Sequence, residues 1–474
     1  MTRWLLAAAV AFAFLYPFPY FEALRSANEV PRILLTREIV EHGTFRLDAA
    51  AGDLGSTFDV ATTPDGHKFS NKAPGPSFLA VPAYLALKAT VGRPTMRQMT
   101  WAFRLTAATL PMLLFLWWFW RSTPQRGAFL ALAFGSMAYP YGILFYSHAP
   151  AMAAAGGAFL AATAAVRGSA RAPAVAGLLA AAAVVCDYQA ILAAAAIAVY
   201  LVARAPRRGR AALLFLLGAA APAALLLSYH HAAFGSPFRT GYAFAADPAQ
   251  KQGFLGIVGP NAAALYQAFV APSNGLLVLT PWVLLAFVGA VKARHLPETW
   301  TCAAVALLYF AFIGSTVPEF GRGGWSVGPR YITVAIPFLA WLAAPALDAA
   351  EPRPAWRVAA HALVLVGVAV HVVAATTYPH WPVSFQNPLY EVSFRLLGEG
   401  RAPHSLGTLV GLRGIASLAP LYAVVAAVAA GLLGLRRSTL AAALVAAGII
   451  AGYSFFPRGT PPDKIQFIER EWEP

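Results

Sequence analysis

The sequence predicts an all-α polytopic membrane protein of about thirteen transmembrane helices, and three observations carry that expectation. Apolar segments of roughly 16 to 22 residues recur along nearly the whole chain, the length a helix needs to cross a bilayer. Of the 474 residues, 59% are hydrophobic and only 12% charged, with a mean hydropathy of +0.60. That leaves too little polar surface for a soluble globule. The short polar joints carry arginine only at every second position, the pattern left when positive charge is kept on the cytoplasmic side. In lipid a closed helix satisfies its own backbone, so these segments are read as helices.

The first span covers 4–20 and ends in Tyr16, Pro17, Pro19 and Tyr20, an interfacial belt that reads as a retained anchor and not as a cleaved signal. The apolar run 74–87 is short and holds Pro76 and Pro82, so it is assigned to the membrane surface. The remaining spans then fall at 101–120, 127–146, 149–166, 173–187, 189–203, 211–229, 275–291, 299–315, 331–347, 357–376, 418–434 and 438–455. This places Arg121/Arg126, Arg167/Arg171, Arg204–Arg210, Lys292/Arg294, Arg353/Arg357 and Arg436/Arg437 in the cytoplasmic joints. The joints Ser147–His148 and Asp187–Tyr188, which hold no lysine or arginine, face outward. Letting 74–87 cross would invert every pair, against the positive-inside rule. The expected topology has the amino terminus inside and the carboxyl terminus outside. The polar segments 21–100, 230–274, 316–330, 377–417 and 456–474 then collect on the outer face, where chemistry is expected. Within the first of these, 30–41 reads as a surface helix with Pro31 in its opening turn and Gly43 past its end.

The formal charge of +15 does not indicate nucleic acid, because the arginines sit at helix ends beside apolar spans, where membrane lipids are their partners. Cys186 and Cys302 both lie inside spans, so neither a disulfide framework nor a thiolate metal site is expected. His230 and His231 are adjacent and diverge on a helix, a poor chelating pair. No cofactor is expected. Nucleotide loops, nucleophile elbows and zinc spacings are missing from the sequence.

The candidate chemistry is a set of polar residues at the outer ends of spans. Asn28 and Glu29 open the surface helix, either as a cap with a favourable charge or with Glu29 as a general base. Asp59 is a second candidate base in the same loop, while Asp65 sits in the plain turn Pro64–Asp65–Gly66. Lys72 precedes Ala73–Pro74–Gly75–Pro76 where the chain returns to the membrane, as a snorkelling anchor or a phosphate ligand. Arg330 follows Gly323–Gly324–Trp325–Ser326–Val327–Gly328–Pro329 and opens a span on the outer side, against the charge rule, which suits an anion held by a guanidinium fork. Tyr146 and His148, with Asp187 and Tyr188, mark two tight outer hairpins as substrate-binding candidates, and helix-end roles are the alternative.

These strings resemble a family. Asn28–Glu29, the helix ending Glu41–His42–Gly43–Thr44–Phe45, and Gly66–His67–Lys68–Phe69–Ser70–Asn71–Lys72–Ala73–Pro74–Gly75 are similar to the first outer loop of bacterial GT-C glycosyltransferases, the relatives of protein O-mannosyltransferases and of the lipid A aminoarabinose transferase. Gly235–Ser236–Pro237 and the glycine-rich string ending Arg330–Tyr331 add to it. The resemblance implies a catalytic module over residues 1–350, with its first periplasmic loop at 21–100, and carboxyl-terminal helices over 351–474. It implies the bacterial inner membrane and a periplasmic site. It also implies an activity: transfer of a sugar from a polyprenyl-monophosphate donor to an acceptor hydroxyl, with inversion. Where the family has aspartate as base, this chain has Asn28, so the role passes to Glu29 or Asp59. Lys72 matches a lysine that contacts the lipid phosphate, and Arg330 is expected to join it, with Asn28, Tyr146, His148, Asp187, Tyr188 and Trp325 lining the substrate site. A transporter or flippase for a lipid-linked glycan is the competing reading, which calls for related halves and polar residues near the midplane.

Overall fold

The computed structural model describes residues 2–21, 26–55, 57, 59–123, 125–459 and 466. Most of the carboxyl-terminal segment 456–474 lies outside the described residues. The protein is an all-α membrane protein: among the described residues, seven helices are long and apolar enough to span a bilayer, at Met96–Ser122, His148–Val166, Arg208–Phe234, Arg330–Ala350, Pro354–Thr377, Gly414–Leu433 and Arg437–Phe455. Five shorter apolar helices accompany them, at Arg3–Leu15, Ala172–Cys186, Tyr188–Arg204, Pro281–Lys292 and Pro297–Ile313. The segment expected as one helix over 127–146 is instead broken into Arg126–Ala133 and Ala138–Gly142. Ser136 ends the first piece by returning its hydroxyl to the Leu132 carbonyl and capping the Ala138 amide, a local bond that competes with the helix ladder.

One hydrophobic cluster runs through the bundle from Leu6 to Leu433. Small residues let helices approach closely: a Cβ on Gly177 would fall 1.9 Å from the Phe215 carbonyl oxygen, and one on Gly218 2.0 Å from that of Ala174. The joints sort to two ends. Arg167 reaches Glu298 at 3.8 Å and Arg436 reaches Glu351 at 3.2 Å, so arginine-bearing joints distant in sequence meet one another. At the other end, Pro17 bridges Ser405, the 315–317 segment bonds to 256–259, and Arg322 donates to the Phe385 carbonyl.

At this second end lies the 26–75 segment. Val30–His42 is helical as expected, with Pro31 in its first turn and Gly43 closing it at φ +62°. Ile33, Leu34 and Leu35 are fully buried, each contributing about 1.5–3 kcal/mol. Gly75–Val91 forms the second surface helix. Between them is an antiparallel hairpin, Val60–Thr62 with Lys68–Ser70, which pairs Val60 with Ser70 and Thr62 with Lys68 around the Pro64–Asp65–Gly66 turn.

Candidate functional site

Hairpin register explains how Asp59 and Lys72 meet across thirteen positions of sequence. Continuing the pairing one step past Val60 and Ser70 sets Asp59 opposite Asn71, whose amide donates to the Asp59 carbonyl at 3.4 Å. Lys72 follows, and its Nζ lies 2.7 Å from Asp59 Oδ1, with the lysine buried and the aspartate mostly so. The same ammonium stands 5.9 Å from the Tyr242 ring. Asn71 is fully buried and both its amide atoms lack a partner among the described residues.

Gly75 brings this loop against the rest of the site. A Cβ there would meet the Cys186 backbone at 2.7 Å, so only glycine lets the second surface helix begin on the end of Ala172–Cys186. Asp187 follows that end directly. Its carboxylate accepts from His148 Nδ1 at 2.8 Å, from Ser147 at 3.3 Å and from Gln189 at 3.4 Å. Since a carboxylate only accepts, the His148 proton sits on Nδ1; Nε2 is buried without a partner among the described residues. Tyr188 bonds His230 Nε2 at 2.9 Å and meets the Tyr242 ring edge-on.

Arg330 is wrapped by its own glycine-rich loop. Gly323 and Gly324 have φ of +84° and +74°, a left-handed backbone that favours glycine, and a Cβ on either would touch the Arg330 side chain. The guanidinium bonds Tyr331 Oη at 3.2 Å, its Nε has no partner, and no carboxylate pairs with it among the described residues. Tyr146 ties the loop to the rest of the site, with its hydroxyl 3.0 Å from Ser26 Oγ, 3.1 Å from His380 Nδ1 and 3.4 Å from the Trp325 carbonyl.

Glu29 is fully engaged. Arg104 donates to both its oxygens, at 2.8 and 2.7 Å, and the Phe145 amide donates at 2.7 Å. Burial raises the carboxyl, but the charge and bonds of Arg104, the His380 field and the Phe145 amide hold it below its ordinary value. Burial pushes the neighbouring His380 imidazole down to about 4. Asn28 makes no helix cap; Arg32 Nη1 donates to both its backbone and side-chain oxygens.

The sequence reading missed Arg32, Arg104, Tyr242 and His380. Arg104 left a signal, because an arginine inside an apolar helix requires a buried carboxylate or carbonyl partner, and here it takes Glu29 and the Pro19 carbonyl. Tyr242 and His380 arrive on distant loops and left none. Among the described residues, no group of His, Cys, Asp and Glu is arranged to hold a metal. A scan of the chain against models of known protein families finds no match, and a search of curated protein sequences finds none either.

Proposed function

We propose that this protein is a membrane glycosyltransferase that moves a sugar from a polyprenyl-monophosphate donor to an acceptor hydroxyl at the periplasmic face of a bacterial inner membrane. The observation that carries the reading is the Asp59–Lys72 pair set in the same charge cluster as the uncompensated Arg330. Such a donor has a good leaving group, so one base and cations on the departing phosphate suffice, with no second protonating carboxylate of the glycosidase kind. The acceptor oxygen attacks the anomeric carbon as its proton passes to Asp59. The bond from that carbon to the phosphate oxygen breaks on the opposite face, the electron pair leaves with the polyprenyl phosphate, and configuration inverts. Lys72 has three donors, so one N–H holds Asp59 while the others reach phosphate. Of the two candidate bases, Asp59 is the better placed, because both oxygens of Glu29 are committed to Arg104.

Thirteen spans with the amino terminus inside, as read from the sequence, put every arginine-rich joint on the cytoplasmic side and this site outside. The meeting of arginine-bearing joints at one end and site residues at the other supports that arrangement. Cysteine placed at the exposed Asp65 is expected to react with an impermeant maleimide in intact spheroplasts, and cysteine at the exposed Ser169 only after lysis. The native Cys186 and Cys302 are buried and give a quiet background. The opposite labelling would overturn the orientation.

Lys72→Ala and Arg330→Ala are each expected to weaken donor binding roughly ten- to hundredfold, the value of a charge-assisted contact of about 1.5–3 kcal/mol. Arg330→Lys recovers only part of it, since a point charge does not reproduce a two-bond fork. Titration with polyprenyl phosphate measures this; affinities within about twofold of the parent, well under 1 kcal/mol, would place the phosphate elsewhere.

A further inference from the structure

Arg32 is the most deeply buried cation in the cluster, 2% exposed, on a helix held rigid at that point. Its backbone carbonyl accepts from Ser77 at 3.0 Å and from Thr36 at 3.0 Å, which fixes the residue against the second surface helix. One guanidinium nitrogen is spent on Asn28. Nε is buried with no partner, and among the described residues no carboxylate lies within ion-pair distance. A guanidinium taken out of water without a counter-ion is costly, and its presence calls for an anion that the described residues do not supply. The charged groups whose field reaches it are Asp59, Asp187 and Arg330, residues of the site just described.

The identity of its anchor matters. Asparagine and aspartate have the same shape, and either could accept from Arg32, but only the carboxylate would cancel its charge. Asn28 therefore holds the guanidinium in place while leaving its charge available. Among the lysines, arginines and carboxylates of the site, Lys72, Arg32 and Arg330 exceed Asp59 and Asp187 by one positive charge, and a sugar phosphodiester carries one negative charge at neutral pH.

We propose that Arg32 is a third donor-phosphate ligand, and that Asn28 is its positioning residue, an amide that orients the guanidinium without neutralising it. The inference rests on the reading of the site as one for a polyprenyl-phosphate donor, and adds to it the way the phosphate charge is balanced. It makes an unusual substitution informative: Asn28→Asp, which inserts a carboxylate against Arg32, should weaken the site although it removes no contact.

The test uses the detergent-purified full chain and polyprenyl monophosphate as probe, with the uncharged polyprenol as control, and needs no sugar transfer. Asn28→Asp and Arg32→Gln are each expected to raise the dissociation constant for polyprenyl monophosphate ten- to hundredfold while leaving polyprenol binding unchanged. Arg32→Lys should restore part of the loss. The thermal midpoint without ligand separates binding from folding. Asn28→Asp is expected to keep or raise it, because a new ion pair forms, so the charge effect remains readable even where Arg32→Gln fails to fold. Parental affinity in a folded Asn28→Asp variant, with binding still lost in Lys72→Ala and Arg330→Ala, would overturn the role of Arg32 and leave the donor site standing. Failure of the parent protein to prefer the phosphate over polyprenol would overturn the donor reading itself.

Discussion

Asp59→Asn is expected to slow sugar transfer roughly 10²–10⁴-fold, the contribution typical of a positioned general base. The amide keeps the shape and the contact to Lys72 but cannot take the acceptor proton. Donor binding should change far less, because Lys72 and Arg330 remain, and release of their carboxylate neighbour leaves more positive charge for the phosphate. The signature is therefore a fall in kcat with KM for the donor level or lower. Full activity in a folded Asp59→Asn variant would return the base assignment to Glu29.

Glu29→Gln is expected to act first on stability. It strips the counter-ion from Arg104, which is buried and already committed to the Pro19 carbonyl, and breaking a buried pair from one side costs about 3–5 kcal/mol. Replacing both partners, as Glu29→Gln with Arg104→Met, should recover a substantial part of that loss, since no orphaned charge remains. The pair also sets a pH dependence. The Glu29 carboxyl is held below its ordinary value in the folded protein, so the stability it contributes is present above its unfolded pKa and is lost as pH falls through the lower folded value. Thermal midpoints measured downward from neutral pH should fall less steeply in the double variant than in the parent. A single variant as stable as the parent, with activity lost, would make Glu29 chemical and not structural.

His380 adds a second component at mildly acidic pH. Its imidazole is pushed down to about 4, so the unfolded chain takes up a proton that the folded chain refuses, and stability should decline as pH drops below the ordinary histidine range. His380→Gln is expected to flatten the midpoint-against-pH curve in that range.

Much of the helical frame was legible because apolar length is a strong signal. Met96–Ser122, Arg208–Phe234 and Pro354–Thr377 are helices where hydropathy placed spans. The 127–146 segment was not legible as two pieces, because its break is a serine hydroxyl competing for backbone in an otherwise apolar run. In the site, Asp59 stood out as a carboxylate in the first outer loop, and Lys72, Asp187 and Arg330 as charges at helix ends, and the structure brings them together. The hairpin that joins the first two was readable in retrospect from Val60–Ala61–Thr62 and Lys68–Phe69–Ser70 flanking a Pro-Asp-Gly turn. The partners of Glu29 and Asn28 were not, since nothing local in sequence says that an arginine 75 residues away closes on one, while Arg32 takes the other.

Transfer from a lipid phosphate is measured directly by the release of polyprenyl phosphate. Purified protein in liposomes would be given polyprenyl-phosphate hexoses labelled in the sugar, with acceptors supplied on one side. Transfer predicts that label moves into the acceptor with stoichiometric appearance of polyprenyl phosphate, and that Asp59→Asn slows both by the same factor, roughly 10²–10⁴. Label that crosses the bilayer still attached to its lipid, with no phosphate released, would contradict transfer and identify a flippase.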